Sequence, residues 1–108
     1  MSTAPKPQME AQDPVKLDPK HYTVEADNEQ VRVLRVNYKA HEKSVMHSHP
    51  DNVAVFLNDA HCGFKFPDGK TEERRFHAGE TLYAPAGSHL PENLGGHPFD
   101  IILIELKR

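Results

Sequence analysis

Three histidines hold the chemistry open to this chain. His47 and His49 stand two residues apart in Met46-His47-Ser48-His49-Pro50, and His89 follows in Pro85-Ala86-Gly87-Ser88-His89. Positions i and i+2 of a β-strand face the same way, so His47 and His49 share a face. A third imidazole from a neighbouring strand would complete a site for one divalent metal ion. Such a site keeps open positions where water, a substrate or dioxygen can bind. Three neutral imidazoles leave the ion its full double positive charge, which attracts an anionic or dicarbonyl-like small molecule. Imidazole suits Fe, Cu, Ni and Zn alike, and Mn is a further option. Three facial histidines and three open octahedral positions put Fe(II) first. Tetrahedral Zn would leave one position, for a single water.

The ligands must be neutral to bind, and free imidazole titrates near a pKa of about 6.5, so metal affinity is expected to fall below that pH.

The elements around the histidines read as strands. Val31 to Tyr38 alternates apolar and polar residues with a phase slip at Val33-Leu34, which predicts a bulge or a strand buried on both faces. Val53 to Leu57 is a continuous apolar run, expected in a central strand. Pro67-Asp68-Gly69-Lys70 is a tight hairpin turn ahead of Thr71 to Phe76. In that strand Glu72-Glu73-Arg74-Arg75 is expected to be a solvated face. Thr81 to Ala84 stops at Pro85, and Phe99 to Leu106 closes the domain. Short strands with frequent turns predict an all-β sandwich or barrel. Residues 1–20 hold Pro5, Pro7, Pro14 and Pro19 and few core formers, so they are expected to be an extended or disordered N-terminal arm. The domain proper is expected over residues 21–108.

Composition narrows the function classes. The chain has 108 residues, 13 basic and 16 acidic, with a formal net charge of −3 and no basic stripe, which argues against nucleic acid as a partner. No apolar run approaches the ~20 residues of a membrane helix, and no secretory leader is visible, although a removed leader would leave no trace. Cys62 is the sole cysteine, which fits a reducing, cytoplasmic setting. It is expected to be a small buried hydrophobe rather than a nucleophile.

The residues from Val31 to Leu106 resemble the cupin superfamily, in particular its small single-domain, type-2-like members. The second cupin motif is matched by Gly79, Pro85, Gly87, His89 and Asn93, with one residue fewer between Gly87 and His89. The first motif is matched at His47 and His49. It departs at His41 and near Ala60, where glycines belong, and at Val53 or Ala54, where the acidic ligand belongs. The resemblance implies a small RmlC-like jelly-roll β-barrel and a metal held by His47, His49 and His89 without the glutamate. It also implies a three-histidine, non-haem Fe(II) dioxygenase-like activity. A homodimer is the expected assembly, with the N-terminal arm ordered against the partner.

Several residues are weighed against plainer roles. Asp51 is a substitute ligand only if Pro50 does not redirect the chain. Glu92 and Tyr83 are the candidates for catalytic roles, Glu92 as a base or as an orienter of a ligand imidazole, Tyr83 through a buried hydroxyl. Phe56, Phe64 and Met46 are expected to fill the barrel or line its pocket. His21, His41, His61, His77 and His97 are expected at the surface or in loops. Asn93 is expected to tie down the loop after His89. A binding module without turnover is the alternative to the enzyme, and a structural dimer with a vestigial pocket is a third option.

Overall fold

The computed structural model describes residues 12–108. After one helical turn, α1 (Pro14–Leu17), come nine strands: β1 (Tyr22–Asp27), β2 (Val31–Tyr38), β3 (His47–His49), β4 (Asn52–Phe56), β5 (Ala60–Lys65), β6 (Thr71–Phe76), β7 (Thr81–Ala84), β8 (Gly87–Asn93) and β9 (Phe99–Leu106). They form a five-stranded sheet, β1-β2-β9-β4-β7, and a four-stranded sheet, β3-β8-β5-β6. Every pairing within them is antiparallel. The chain is therefore all-β, a small barrel of two facing sheets, as the strand pattern predicts.

Alternation along the strands builds the core. β2 sends Leu34, Val36 and Tyr38 inward, β4 sends Ala54 and Phe56, and β9 sends Phe99 and Leu103. Phe56 and Phe76 stack across the sheets with centroids 4.0 Å apart, closing one end. Fully burying one such ring contributes about 1.5–3 kcal/mol.

Of the two causes expected for the phase slip in β2, the bulge is not found there, whereas both faces of the strand are at least half-buried. β2 pairs with β9 without interruption, and the irregularity lies across from it in β1, between Val24 and Ala26. The alternation breaks because Arg32 takes the inward position that precedes Leu34, to reach the buried Glu105. In β6, likewise, only part of the charged run is solvated. Glu73 and Arg75 are exposed, whereas Arg74 is half-buried and lines the interior with the exposed Glu72.

Residues 1–11 of the expected arm lie outside the described residues. Over residues 12–20 the chain is not extended. Asp13 caps α1, its Oδ1 accepting from the Val15 N–H at 2.9 Å, and Pro14 starts the turn. Proline is tolerated there because its missing N–H would have had no helical partner.

The hairpin at Pro67–Lys70 forms as predicted, with Gly69 at φ +89°. His41 also adopts positive φ, +65°, at the position where the cupin motif has glycine. An L-residue pays about 1–2 kcal/mol in the left-handed region. His41 is exposed, so His41→Gly is expected to raise stability by about 1 kcal/mol, less what glycine adds to unfolded-chain entropy. A urea midpoint that falls in this variant would contradict the expectation.

Candidate metal centre

β3 and β8 place the three imidazoles. His47 pairs directly with His89, and His49 with Gly87. Directly opposed residues of an antiparallel pair carry their side chains about 4.5–5.5 Å apart at Cβ. The i, i+2 relation adds His49 beside His47. The ring centroids lie 4.8, 5.0 and 5.2 Å from one another. One ring nitrogen from each can be chosen so that all three lie within 4.8 Å of one another. Ser48, facing the other way, bonds Ser88 at 2.6 Å, and its N–H donates to the Gln12 carbonyl at 2.9 Å, covering the free edge of β3.

Hydrogen bonds set the tautomers. His47 Nδ1 donates to the Val45 carbonyl at 2.9 Å, and His49 Nδ1 donates to Glu105 Oε2 at 2.8 Å. A hydrogen on each Nδ1 leaves both Nε2 atoms as bare acceptors in the neutral rings. These two Nε2 atoms face each other at 3.1 Å, which is repulsive unless they share a cation or a proton. His89 Nε2 is buried and has no hydrogen-bond partner. A divalent ion would satisfy all three nitrogens, so the residues present fit one.

Burial keeps the His47 and His89 rings neutral. It lowers the His47 pKa to about 3, with help from the nearby His49 ring. It lowers that of His89 to about 2, aided by both other histidines. An expected loss of metal below the ordinary imidazole pKa would therefore not arise from His47 or His89, because the folded protein resists protonating them.

The residues suggested alongside the trio fall elsewhere. Asp51 turns toward the β7–β8 connection, where Oδ1 accepts from the Ala86 N–H at 2.8 Å and Oδ2 meets Arg108 at 3.4 Å. Glu92 is three residues from His89 on one strand, hence on the opposite face, in an outer groove with Lys43 and Leu94. Tyr83 is 55% exposed on the edge strand β7, not buried. The buried hydroxyls belong to Tyr22 and Tyr38, bonded to each other at 2.7 Å. Burial raises both of their pKa values, so they stay neutral. Tyr22 sets its ring edge-on to His47, with centroids 4.9 Å apart. Cys62 is buried as expected, its thiol pushed up to about 12 by burial. Phe56 and Phe64 line the cavity, and Met46 is half-buried elsewhere. His41, His77 and His97 are exposed and His61 is half-buried. His21 is not a surface residue: it is 5% exposed, with Nδ1 at 2.7 Å from Asp18 and Nε2 at 3.0 Å from Glu42. Asn93 ends β8 and ties the loop beyond it, accepting from the Gly95 N–H and donating to the His97 carbonyl, both at 2.8 Å.

Glu105 is the residue that sequence reasoning missed. It is 3% exposed, and Arg32 binds its Oε1 through Nε at 2.9 Å. Asp13 grips the other end of the guanidinium, with two bonds of 2.9 Å. The chain Asp13–Arg32–Glu105–His49 thus runs from the N-terminal turn to the imidazole cluster. The signal was one carboxylate at an inward position of the apolar strand β9. Ala54, buried and lining the cavity, occupies the inward position where the motif's acid would fall. The acid is therefore supplied from β9, behind the His49 ring and outside the imidazole cluster.

A cavity of about 440 Å³ opens beside His49 and His89, walled by Phe56, Phe64, Phe66 and Leu103. Its size and apolar lining are those of a small-molecule site.

No family model and no curated protein matches the chain. Solved structures do. A cupin domain from Bordetella pertussis Tohama I is 26% identical with a TM-score of 0.75, over 81% of this chain and 92% of that one. An RmlC-like cupin family protein with a double-stranded β-helix fold, from Methanocaldococcus jannaschii, is 17% identical with a TM-score of 0.62, covering 82% and 83%. A cupin superfamily protein from Desulfitobacterium hafniense DCB-2 is 15% identical with a TM-score of 0.61, covering 81% and 76%. The two more distant ones speak to the fold alone.

Proposed function

Because this chain is a small single-domain member of the cupin superfamily, we propose that it binds one divalent metal ion through His47, His49 and His89. The unpartnered His89 Nε2, beside two opposed Nε2 atoms, is the observation that carries the reading. Fe(II) ranks ahead of Zn, Ni, Mn and Cu, since three nitrogen ligands on one side leave room for two further reactants. The proposed activity is a dioxygenase-like conversion of a small anionic or dicarbonyl-like substrate. The ion, when bound, would supply Lewis acidity and one-electron chemistry.

The chain's own residues have narrower tasks. Glu105 holds the His49 ring by its Nδ1, and Val45 does the same for His47. Tyr22 and Tyr38 offer neutral hydroxyls beside the site, and the apolar walls exclude water from a bound molecule.

One observation favours a second reading, a binding module without turnover. Among the described residues no carboxylate lies in the imidazole cluster, and the nearby tyrosines and Cys62 are held in their neutral forms. A general base would then have to come from the metal or the ligand.

The test is elemental analysis of the native protein beside His89→Ala, with dioxygen uptake recorded over diketones, thiols and catechols. Near-stoichiometric metal in the native protein and near-zero metal in the variant are expected. Uptake with one substrate class supports the enzyme. Full metal without uptake supports the binding module, and no metal in protein purified without chelators defeats both.

A homodimer belongs to this proposal. Val33, Ile104, Val53 and Tyr83 stand in register across four strands on the outer face of the larger sheet, an apolar row that a second copy would cover. No helix among the described residues is long and apolar enough to cross a membrane. A cytoplasmic setting without nucleic-acid partners is likewise proposed, on the single free thiol and the mixed charge.

A further inference from the structure

We propose that the cavity takes a small carboxylate with an apolar body, and that Arg74 is the residue that holds its carboxylate. The inference rests on the reading of the cavity as a ligand site, but not on the metal. Arg74 lies on β6, paired with Cys62 of β5, and its half-buried side chain lines the cavity. Its guanidinium carbon sits 4.9 Å from the centre of the Phe76 ring, within cation–π range, which restrains the side chain.

Arg74 combines two features: it has no counter-charge, and it is half-buried at the cavity. Arg32 is paired with Asp13 and Glu105, Arg35 with Glu25 and Arg108 with Asp51. Arg75 is exposed. Among the described residues no carboxylate comes within ion-pair distance of Arg74, and no side-chain hydrogen bond engages it. Glu72 shares its face of β6 but is exposed. Farther in, an anion would meet Arg74 against the Phe64 and Phe66 walls. A cation beside an apolar cavity is costly unless something neutralises it, and a planar fork matches a carboxylate with two bonds. One arginine suits a monoanion better than a phosphate dianion, which would call for further donors.

Register places the two ends of the ligand. Asn93 pairs with Cys62, and Cys62 with Arg74. On flat-sheet spacings the Arg74 backbone lies about 13 Å along and about 10 Å across from His89. Arg74 and the imidazoles both reach inward, leaving room for one aromatic ring or a short alkyl chain between them.

The probes are 4-phenylbutyrate and its neutral analogue 4-phenylbutan-1-ol, titrated calorimetrically into the full chain as purified and after chelator treatment. In chelator-treated protein the acid is expected to bind at least about 10-fold more tightly than the alcohol, the scale of one charge-assisted pair. Arg74→Gln is expected to bring the two within about twofold while leaving the alcohol's affinity and the metal content unchanged. Arg74→Lys keeps the charge but loses the fork, and an intermediate preference is expected; it also serves if the glutamine variant does not fold. Equal binding of acid and alcohol in the wild type, or an undiminished preference in Arg74→Gln, overturns the proposal. Native protein without metal would defeat the metal assignment and leave this comparison standing.

Discussion

Glu105→Ala is expected to lose about 3 kcal/mol of stability, the lower end of the cost of breaking a buried ion pair. The lower end applies because Arg32 keeps its two bonds to Asp13. What remains unmet is the His49 Nδ1–H, buried and without its acceptor at 2.8 Å. For a domain of this size the loss corresponds to a fall in Tm of roughly 10–20 °C. Metal affinity is expected to fall roughly 10–100-fold, because the carboxylate fixes both the tautomer and the orientation of a ligand ring. Competition with a chelator measures the affinity, and urea unfolding of the metal-free protein measures the stability. Asp13→Asn leaves Glu105 in place and only loosens Arg32, so its effects are expected to be smaller in both. Unchanged metal affinity in Glu105→Ala would show that His49 is oriented by something else.

The metal-free protein is expected to become steeply less stable as the pH falls from 7 to 5. The sign follows from where protons bind. Above about 6.5 His47 and His89 are neutral both folded and unfolded, and contribute no pH dependence. Below it the unfolded chain takes up protons. His47 and His89 in the fold do not, because burial lowers their pKa values to about 3 and about 2. The unfolded state then binds more protons, and stability falls with pH until the folded pKa values are reached. Between pH 7 and pH 5 each of these imidazoles costs about 2 kcal/mol, close to 1.4 kcal/mol per pH unit below 6. Together they approach about 4 kcal/mol, a large part of the 5–15 kcal/mol typical of a domain. His89→Leu is expected to remove about half of the slope. Metal at 100 times its dissociation constant would restore about 2.7 kcal/mol. Denaturant midpoints at pH 7, 6 and 5 test this, and a flat profile would refute it. The pH sensitivity expected of metal binding is thus transferred largely to folding.

The strand pattern, the hairpin at Gly69, the buried Cys62 and the histidine trio were all legible along the chain. Each depends on local rules: alternation of faces, turn chemistry and i, i+2 spacing. Partnership was not legible. Glu105 is far from His49 in the chain, and only the antiparallel β2–β9 register and the closure of the barrel put a carboxylate behind that ring. The phase slip in β2 marks the same event, since Arg32 sits inward to meet Glu105, but alternation alone does not say what an inward charge will find. Glu92 failed as a candidate for a simpler reason. Nearness in sequence to His89 is no guide on a strand, where an odd offset reverses the face. Asp51 and Tyr83 were redirected by their surroundings, one to a backbone N–H and Arg108, the other to an exposed sheet edge. Periodicity and motif spacing thus determined which imidazoles converge. Which carboxylate supports them, and which arginine is left without a partner beside the cavity, was decided only when the two sheets packed, because opposite charges select one another through space.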